Sequence, residues 1–375
     1  MKRTDRQFFS LLRAGLWDTM PDPALFTDSV DWEAVYETAN RQTLLGFVGD
    51  GIALQVAHPE IPASAKAPVD IRKKFLVQVV KAERRNEKLN RFIVRFNRIF
   101  TEAGITPVIV KGQGVALAYR QPMHRQSGDI DYLLTPEDYA RARDIIAPLA
   151  SEVEPEGTDR LHYNCTIDGI TVELHGTDAP RYHRSGPEKR FDEFTVRHYA
   201  GEKLLWDLDG EKIPLMDHHF SVIYILEHFH HHMMTSGVGL RQICDWMMYI
   251  AAHLDALDEA ALEADLRDLS LLRPWKVYAA LAVSYLGMPA EKMPLYDPSY
   301  ARYNARVWRI IAKTGNFGKY ERKRPSLSVP RLLRKIKSYA YILKQSARLL
   351  PIFPSETVRT LVRRTKTGFQ HINEF

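Results

Sequence analysis

Four short stretches rich in β-branched and aromatic residues, VIV at 108–110, DIDYLL at 129–134, HYNCTID at 162–168 and ITVELHG at 170–176, interrupt a chain whose other patterning is helical. The last two alternate apolar and polar positions and meet at Asp168-Gly169, a strong signal for a tight β-hairpin. Between the second and third lies TPEDYARARDIIAPLA, a helix with Thr135 as cap, Pro136 at its first position and acids in its first turn. Short strands mixed with short helices have to close a small sheet that flanking helices cover. The expectation is therefore an α+β protein, with a small mixed-sheet core embedded between N-terminal and C-terminal helical regions.

The flanks follow from three- and four-residue apolar spacing. Residues 1–103 read as an N-terminal helical region. In it, DWEAVYETANRQTLLGFVGDGIALQ forms a helix capped by Ser29 or Asp31, and a long helix runs from Asp70 to Ala103 until Gly104 stops it. Residues 104–205 hold the α/β core, and residues 206–290 read as a helical bundle closing the cleft. Residues 291–375 read as a basic, largely helical C-terminal region.

The charge is divided along the chain. Residues 301–375 carry 18 Lys and Arg against 3 acids, a net +15, while the remainder has 34 bases and 43 acids, a net −9. A basic region on an acidic body is hidden by the overall +6. Only Cys165 and Cys244 are present, too few for a disulfide framework or a cysteine zinc site, which favours a reducing compartment. The apolar positions near the N-terminus are broken by Arg13 and Asp18, so no signal-peptide core forms. No run reaches the eighteen or so apolar residues a membrane span needs. The reading is a cytoplasmic protein, with a peripheral position at the inner membrane surface left open by the basic region.

Successive side chains of a strand point to opposite faces, so Asp129 and Asp131 share a face while Ile130 and Tyr132 share the other. Like charges placed so close require a cation, a proton or solvent. On ITVELHG, Glu173 is the lone acid, on the polar face with Thr171 and His175. Three carboxylates on adjacent strand ends suit Mg²⁺ or Mn²⁺, which take carboxylate, water and phosphate oxygens. Two such ions would serve phosphoryl transfer, activating a hydroxyl and stabilising a leaving pyrophosphate. VIVKGQG fits this chemistry, as a strand, a glycine turn and a helix let backbone N–H groups approach phosphate. Lys111 and Arg125 would be local counter-charges for a triphosphate.

A strand with glycine, a short helix, an Asp-hydrophobic-Asp strand and a later strand acid resemble the DNA polymerase β-type nucleotidyltransferase superfamily. VIVKGQGVALAYRQPMHRQSGDIDYLL, ITVELHG and EHFHHHMMTSGVGLRQICDWMMYI together resemble a bacterial family of uncharacterised nucleotidyltransferases, over most of residues 35–250. The resemblance implies that Asp129, Asp131 and Glu173 form the metal-binding, catalytic triad, with Glu173 closest to the attacking hydroxyl. The nucleotide-binding set would be Lys111, Gly112, Arg125, Ser127, His175, His228, Arg241 and Asp245. The sequence departs from the superfamily where a Gly-Gly or Gly-Ser pair is usual, since Gly112-Gln113 stands there, and Lys111 could assume part of that turn's role.

Other features carry competing readings. His228 and His232 fall on one helical face and could ligate zinc, but the resemblance turns His228, His231 or His232 toward the cleft. Arg241 and Asp245, four apart on a helix, are expected to form a structural salt bridge. The sharper alternative makes Arg241 and the Gly237–Gly239 turn the far wall of a nucleotide pocket. His175 could bind substrate or tune the triad. In the basic region, Leu332, Leu333, Ile336, Tyr339, Ile342 or Leu343, and Leu350 form an apolar stripe, with Arg331, Arg334, Lys335, Lys344 and Arg348 away from it. This helix could lie on an anionic membrane, grip nucleic acid or dock on the acidic body, the last being favoured. The function expected is metal-dependent transfer of a nucleoside monophosphate from an NTP to an acceptor hydroxyl of a sugar, lipid, peptide, protein or RNA. The alternatives are a non-catalytic nucleotide- or partner-binding descendant and an RNA-modifying transferase that uses the basic tail.

Overall fold

The computed structural model describes residues 1–154, 161–177, 186–321 and 331–370. The stretch KRPSLSVP at the start of the basic tail lies outside the described residues, as do the side chains of Arg331, Leu332, Arg334, Lys335 and Ile336. One mixed sheet of seven strands runs in the order β3-β4-β5-β2-β1-β7-β6. Its strands are β1 (Val108–Val110), β2 (Asp129–Leu134), β3 (Glu152–Val153), β4 (His162–Ile167), β5 (Ile170–Gly176), β6 (Leu204–Leu208) and β7 (Glu211–Leu215). β2 is parallel to β5 and β1 to β7, and the other neighbours are antiparallel.

The four expected strands are all present, and the Asp168-Gly169 turn has both residues at positive φ (53° and 69°), as a type I′ hairpin demands. The β6–β7 hairpin was not anticipated from the sequence. It turns at Asp209-Gly210 with the same left-handed backbone, but Pro214 interrupts the second strand, and a proline argues against a strand. That strand joins the sheet by one parallel register, Ile109 against Leu215.

Alternation along the strands sorts the two sheet faces. Ile130, Tyr132 and Leu134 of β2 and Ile170, Val172 and Leu174 of β5 are buried in one apolar cluster. The same cluster takes Phe92, Phe96 and Phe100 from α4 (Val69–Glu102) and Tyr139 and Ile146 from α6 (Pro136–Ile146). The opposite face carries Val110, Asp131, Glu173 and His175, and its apolar members join the larger helical core.

That larger core interleaves both ends of the chain. It unites α1 (Arg3–Trp17), α2 (Trp32–Arg41) and α3 (Leu45–Ala57) with α8 (His218–Thr235), α9 (Leu240–Ala252), α11 (Leu272–Leu281) and α12 (Asn304–Thr314). Arg13 donates to the carbonyls of Ser284 and Tyr285, and Trp17 to that of Leu286. α1 and α3 cross so closely that a Cβ on Gly51 would stand 1.9 Å from the Leu11 carbonyl oxygen. The sequence had read α2 and α3 as one helix. Asp31 does cap the first, but the chain breaks after Arg41, with Thr43 at φ 54°. There the buried Gln42 donates to the Ile311 carbonyl and accepts from the Leu240 amide, a tertiary demand that no local glycine or proline announces.

α4 is a 34-residue spine, ended as expected by Gly104 at φ 69°. It clamps the loop that leads into β2. Asn86, fully buried, donates to the carbonyls of Met123 and Arg125 at 2.7 and 2.8 Å. Arg85 donates to those of Gly128 and Gly169. The helices outside this frame are α5 (Gly112–Ala116), α7 (Pro187–Tyr199), α10 (Glu259–Asp268), α13 (Arg331–Leu349) and α14 (Pro354–Gln370). No helix among the described residues is long and apolar enough to cross a membrane.

Among the described residues, the C-terminal helices dock on the body through positions other than the stripe the sequence suggested. Leu349, Ile352 and Phe353 are buried, whereas Leu333, Tyr339, Leu343 and Leu350 stay exposed. Glu321 gathers Arg348, at 2.8 Å, with Lys313 and Lys344, and Arg363 reaches Glu188.

Two stability outcomes follow from these buried polar groups. Asn86→Ala strips two buried carbonyls of their donor and is expected to cost about 2–3 kcal/mol in urea unfolding. His230, buried on α8 beside Tyr278, has its pKa pushed down to about 3 by burial and then by His231 and Arg359. Unfolded, it takes up a proton near pH 6.5. Its contribution is therefore complete above that pH and falls away as pH drops toward 3, at about 1.4 kcal/mol per pH unit. His230→Gln should remove about 2 kcal/mol of the stability lost between pH 6.5 and 5, as read from urea unfolding at the two pH values.

Candidate functional site

The site is built where β1 ends. Lys111 sits at φ 60°, ψ −149°, a region that is essentially glycine-only, and Gly112 follows at φ 48°. The two residues of the turn that take positive φ are thus Lys111 and Gly112, one position earlier than the Gly112-Gln113 pair suggested. The lysine is held there by what its side chain finds. Its Nζ lies 2.7 Å from Asp131 Oδ1 and 3.3–3.4 Å from the ring nitrogens of His228 on α8. Burial alone would lower the ammonium's pKa, but Asp131, then Tyr224, Glu173 and Asp129, raise it above the ordinary lysine value. His228 is driven the other way, by burial and then by Lys111, and is neutral.

The strand registers bring the acids together. Asp131 pairs with Glu173 across β2 and β5, and Glu173 stands opposite Asn164 of β4. His175 Nε2 lies 3.0 Å from Asp131 Oδ1 and 3.4 Å from Glu173 Oε2. His162 of β4 reaches the same Glu173 oxygen at 3.3 Å, and its ring stacks on His175 with centroids 4.8 Å apart. Burial would raise the Glu173 pKa, but hydrogen bonds from His162 and His175 and the Lys111 charge hold it well below the carboxylate range. His175 is raised despite its burial, by Asp131 and Glu173.

Asp129 is in the opposite state. Among the described residues it has no hydrogen-bond or ion-pair partner, and burial, followed by the charges of Asp131 and Glu173, raises its pKa. An added cation would relieve that repulsion, so the oxygen-rich donor set of Asp129, Asp131 and Glu173 fits a divalent ion. His162, Glu173 and His175 also offer ligand atoms within 4.8 Å of one another. Lys111 competes for Asp131 in this arrangement.

Asp129 and Asp131 face a small cavity of about 40 Å³. Lys111, Gly112, Arg125, His228, Arg241 and Asp245 also line it, whereas Glu173 and His175 stand on β5 beside Asp131. Arg125 is committed inward: its Nε and Nη2 grip Asp245 at 2.8 and 2.9 Å, and its Nη1 donates to Ser127 Oγ. Ser127 continues to Gln113, and Gln113 to Asn90 on α4, while Tyr119 donates to Asp245.

The salt bridge expected between Arg241 and Asp245 is therefore not the one formed. Asp245 is taken by Arg125, whose planar fork matches a carboxylate in two bonds at once. Arg241 instead donates to the Gln126 carbonyl at 2.7 Å, and its Nε is buried with no partner among the described residues. It keeps donor capacity that no described residue uses. His232 packs edge to face on His228, but no group of three metal-capable side chains among the described residues includes either. His231 lines a separate cavity with His230 and Glu356.

His162 was missed by the sequence reading, as were Tyr119 and Gln113. No motif marks them. His162 becomes relevant through the β4–β5 register that sets it against His175, which the Asp168-Gly169 turn dictates. That register was in principle readable.

The sequence model of a family described as uncharacterised nucleotidyltransferase matches residues 28–287. Among solved structures, an antigenic nucleotidyltransferase-like protein from Paracoccidioides brasiliensis is similar at 14% identity, over 58% of this chain and 97% of its own, with a TM-score of 0.34. No curated protein sequence matches.

The backbone at position 111 can be tested apart from its charge. Lys111→Gly and Lys111→Ala both delete the ammonium, but only alanine keeps a Cβ in a glycine-only conformation. Lys111→Gly is expected to be about 1 kcal/mol the more stable of the two in urea unfolding.

Proposed function

The chain belongs to the uncharacterised nucleotidyltransferase family, and from that premise we propose that it is a metal-dependent enzyme of the DNA polymerase β type. It would transfer a nucleoside monophosphate from an NTP to an acceptor hydroxyl. The observation that carries this reading is Asp129, a half-buried carboxylate beside Asp131 with no ion-pair or hydrogen-bond partner among the described residues and a raised pKa despite the charges of Lys111 and Arg241, with Glu173 in register behind them. Asp129, Asp131 and Glu173 would hold Mg²⁺ or Mn²⁺, which supplies Lewis-acid stabilisation of phosphate oxygens and lowers the pKa of a bound hydroxyl.

The chain's own residues do the positioning. Arg241, with an unpartnered Nε on the cavity wall, and Lys111 take the triphosphate charge. Neutral His228 borders Lys111 without adding to it. Arg125, Ser127 and Asp245 fix the floor of the site rather than gripping phosphate, because their donors and acceptors are used on one another. Glu173 is kept ionised by His162 and His175, which suits it to cation binding more than to holding the hydroxyl's proton. In the reaction the acceptor hydroxyl loses its proton to solvent, its oxygen bonds to the α-phosphorus, the bond from that phosphorus to the oxygen bridging to the β-phosphate breaks, and pyrophosphate leaves.

A second reading rests on the Lys111–Asp131 pair. An ammonium 2.7 Å from Asp131 already neutralises part of the acid cluster, as it would in a descendant that binds nucleotide or a partner without catalysis. Incubating the protein with labelled NTPs, Mg²⁺ or Mn²⁺ and a lysate of its own source separates the two. The catalytic reading expects a labelled acceptor and pyrophosphate release, both reduced at least about 100-fold in Asp131→Asn. Equal labelling by Asp131→Asn and wild type would falsify it, and NTP binding without pyrophosphate release would favour the second.

A further inference from the structure

A second group of metal-capable side chains lies outside the Asp129–Asp131 cavity, where α7, the first turn of α8 and α10 meet. A ring nitrogen of His198, a ring nitrogen of His219 and a carboxylate oxygen of Asp265 all lie within 4.8 Å of one another. His219 Nε2 is 2.8 Å from Asp265 Oδ2. The rings of His198 and His219 stack with centroids 5.6 Å apart and planes 9° from parallel.

Asp217 prepares one of the ligands. Its Oδ1 caps α8 by accepting from the Phe220 amide at 2.7 Å, and its Oδ2 lies 2.8 Å from His198 Nδ1. An ionised carboxylate only accepts, so His198 Nδ1 is the donor to Asp217, which leaves Nε2 as the ring nitrogen that can turn to an ion. A carboxylate behind a histidine in this way is the usual outer partner of a metal-bound imidazole.

We propose that His198, His219 and Asp265 form a binding site for a divalent transition-metal cation, Zn²⁺ by its donor set, separate from the nucleotide cavity. Two imidazoles and one carboxylate with a fourth position open to water match zinc's tetrahedral preference. Ligand atoms on such an ion stand about 3.3 Å apart, so closing from the observed separations takes shifts on the order of 1 Å. All three side chains are partly exposed, which gives the ion a route in. Asp217, Asp265 and Arg197 face the cluster, and Lys203 acts on Asp217 from behind it. Arg197 is 3.3 Å from Asp265 Oδ1 but 65% exposed, free to swing away as the ion binds. The bound cation takes the place of the direct His219–Asp265 contact. It ties α7 and α10 to the start of α8, the helix that delivers His228 to the nucleotide cavity.

The test uses full-length protein stripped by a chelator, titrated with Zn²⁺ against a chromogenic competitor and separately with Co²⁺ followed by visible absorption. His198→Gln, which can still bond Asp217, and Asp265→Asn are each expected to lower Zn²⁺ affinity at least about 10-fold and to lose the tetrahedral Co²⁺ bands. Zn²⁺ should raise the Tm of wild type but not of these variants. His162→Ala/His175→Ala, which dismantles the other imidazole-containing cluster, should keep the Co²⁺ bands. If His198→Gln and Asp265→Asn bind Zn²⁺ as wild type does, or if the bands vanish only in His162→Ala/His175→Ala, the proposal is overturned. His219→Ala is a third variant, and should it fail to fold the other two decide the matter.

Discussion

Three carboxylates on one face of a sheet repel one another, and most of what surrounds β2 and β5 can be understood as the means of keeping them there. Lys111 supplies the nearest positive charge, at 2.7 Å from Asp131. To place it, the chain accepts a backbone conformation that only glycine adopts without strain, a cost of roughly 1–3 kcal/mol. His162 and His175 bracket Glu173 from the neighbouring strand and its own. Asp129 has no direct partner among the described residues, and burial with the charges of Asp131 and Glu173 outweighs the pull of Lys111 and Arg241 on it, which makes the site a candidate for a divalent ion.

The same logic organises the scaffold one layer further out. The segment from α5 to β2 has only a single 3-10 turn, Pro122–His124, and α4 holds it with Asn86 and Arg85. From the other side α9 contributes Asp245, which the buried Arg125 grips in two bonds. A fully desolvated ion pair gains little net stability over an apolar contact. Its geometry is directional, however, and it aligns the approach to β2 with the helix that carries Arg241. Arg125 therefore contributes by ordering the site, and Arg241 is left, with Lys111, as a cation facing the cavity.

Much of the sheet was legible because strand patterning is local. Alternation in ITVELHG put Glu173 and His175 on the face away from Ile170, Val172 and Leu174, and the folded chain keeps them there. Thr135 caps α6 and Gly104 ends α4 as their residue types require. The β6–β7 hairpin escaped notice even though Asp209-Gly210 repeats the Asp168-Gly169 signal, because Pro214 and a single bridging register made the second strand locally unconvincing. The α2–α3 break escaped as well, since Gln42 leaves the helix to serve two distant backbone groups.

By itself the sequence determined the α+β class, the shared face of Asp129 and Asp131 and the position of Glu173 on a neighbouring apolar strand, because period-two and capping signals are short-range. Only the tertiary structure decided which cation meets which acid. Arg241 and Asp245 have the spacing of a helix salt bridge, yet Asp245 pairs with Arg125, 120 residues away, and Arg241 turns to the Gln126 carbonyl. Lys111 meets His228 across 117 residues. In a buried site a charge takes the partner that satisfies most of its hydrogen-bonding capacity, and sequence spacing carries no information about where such a partner will be.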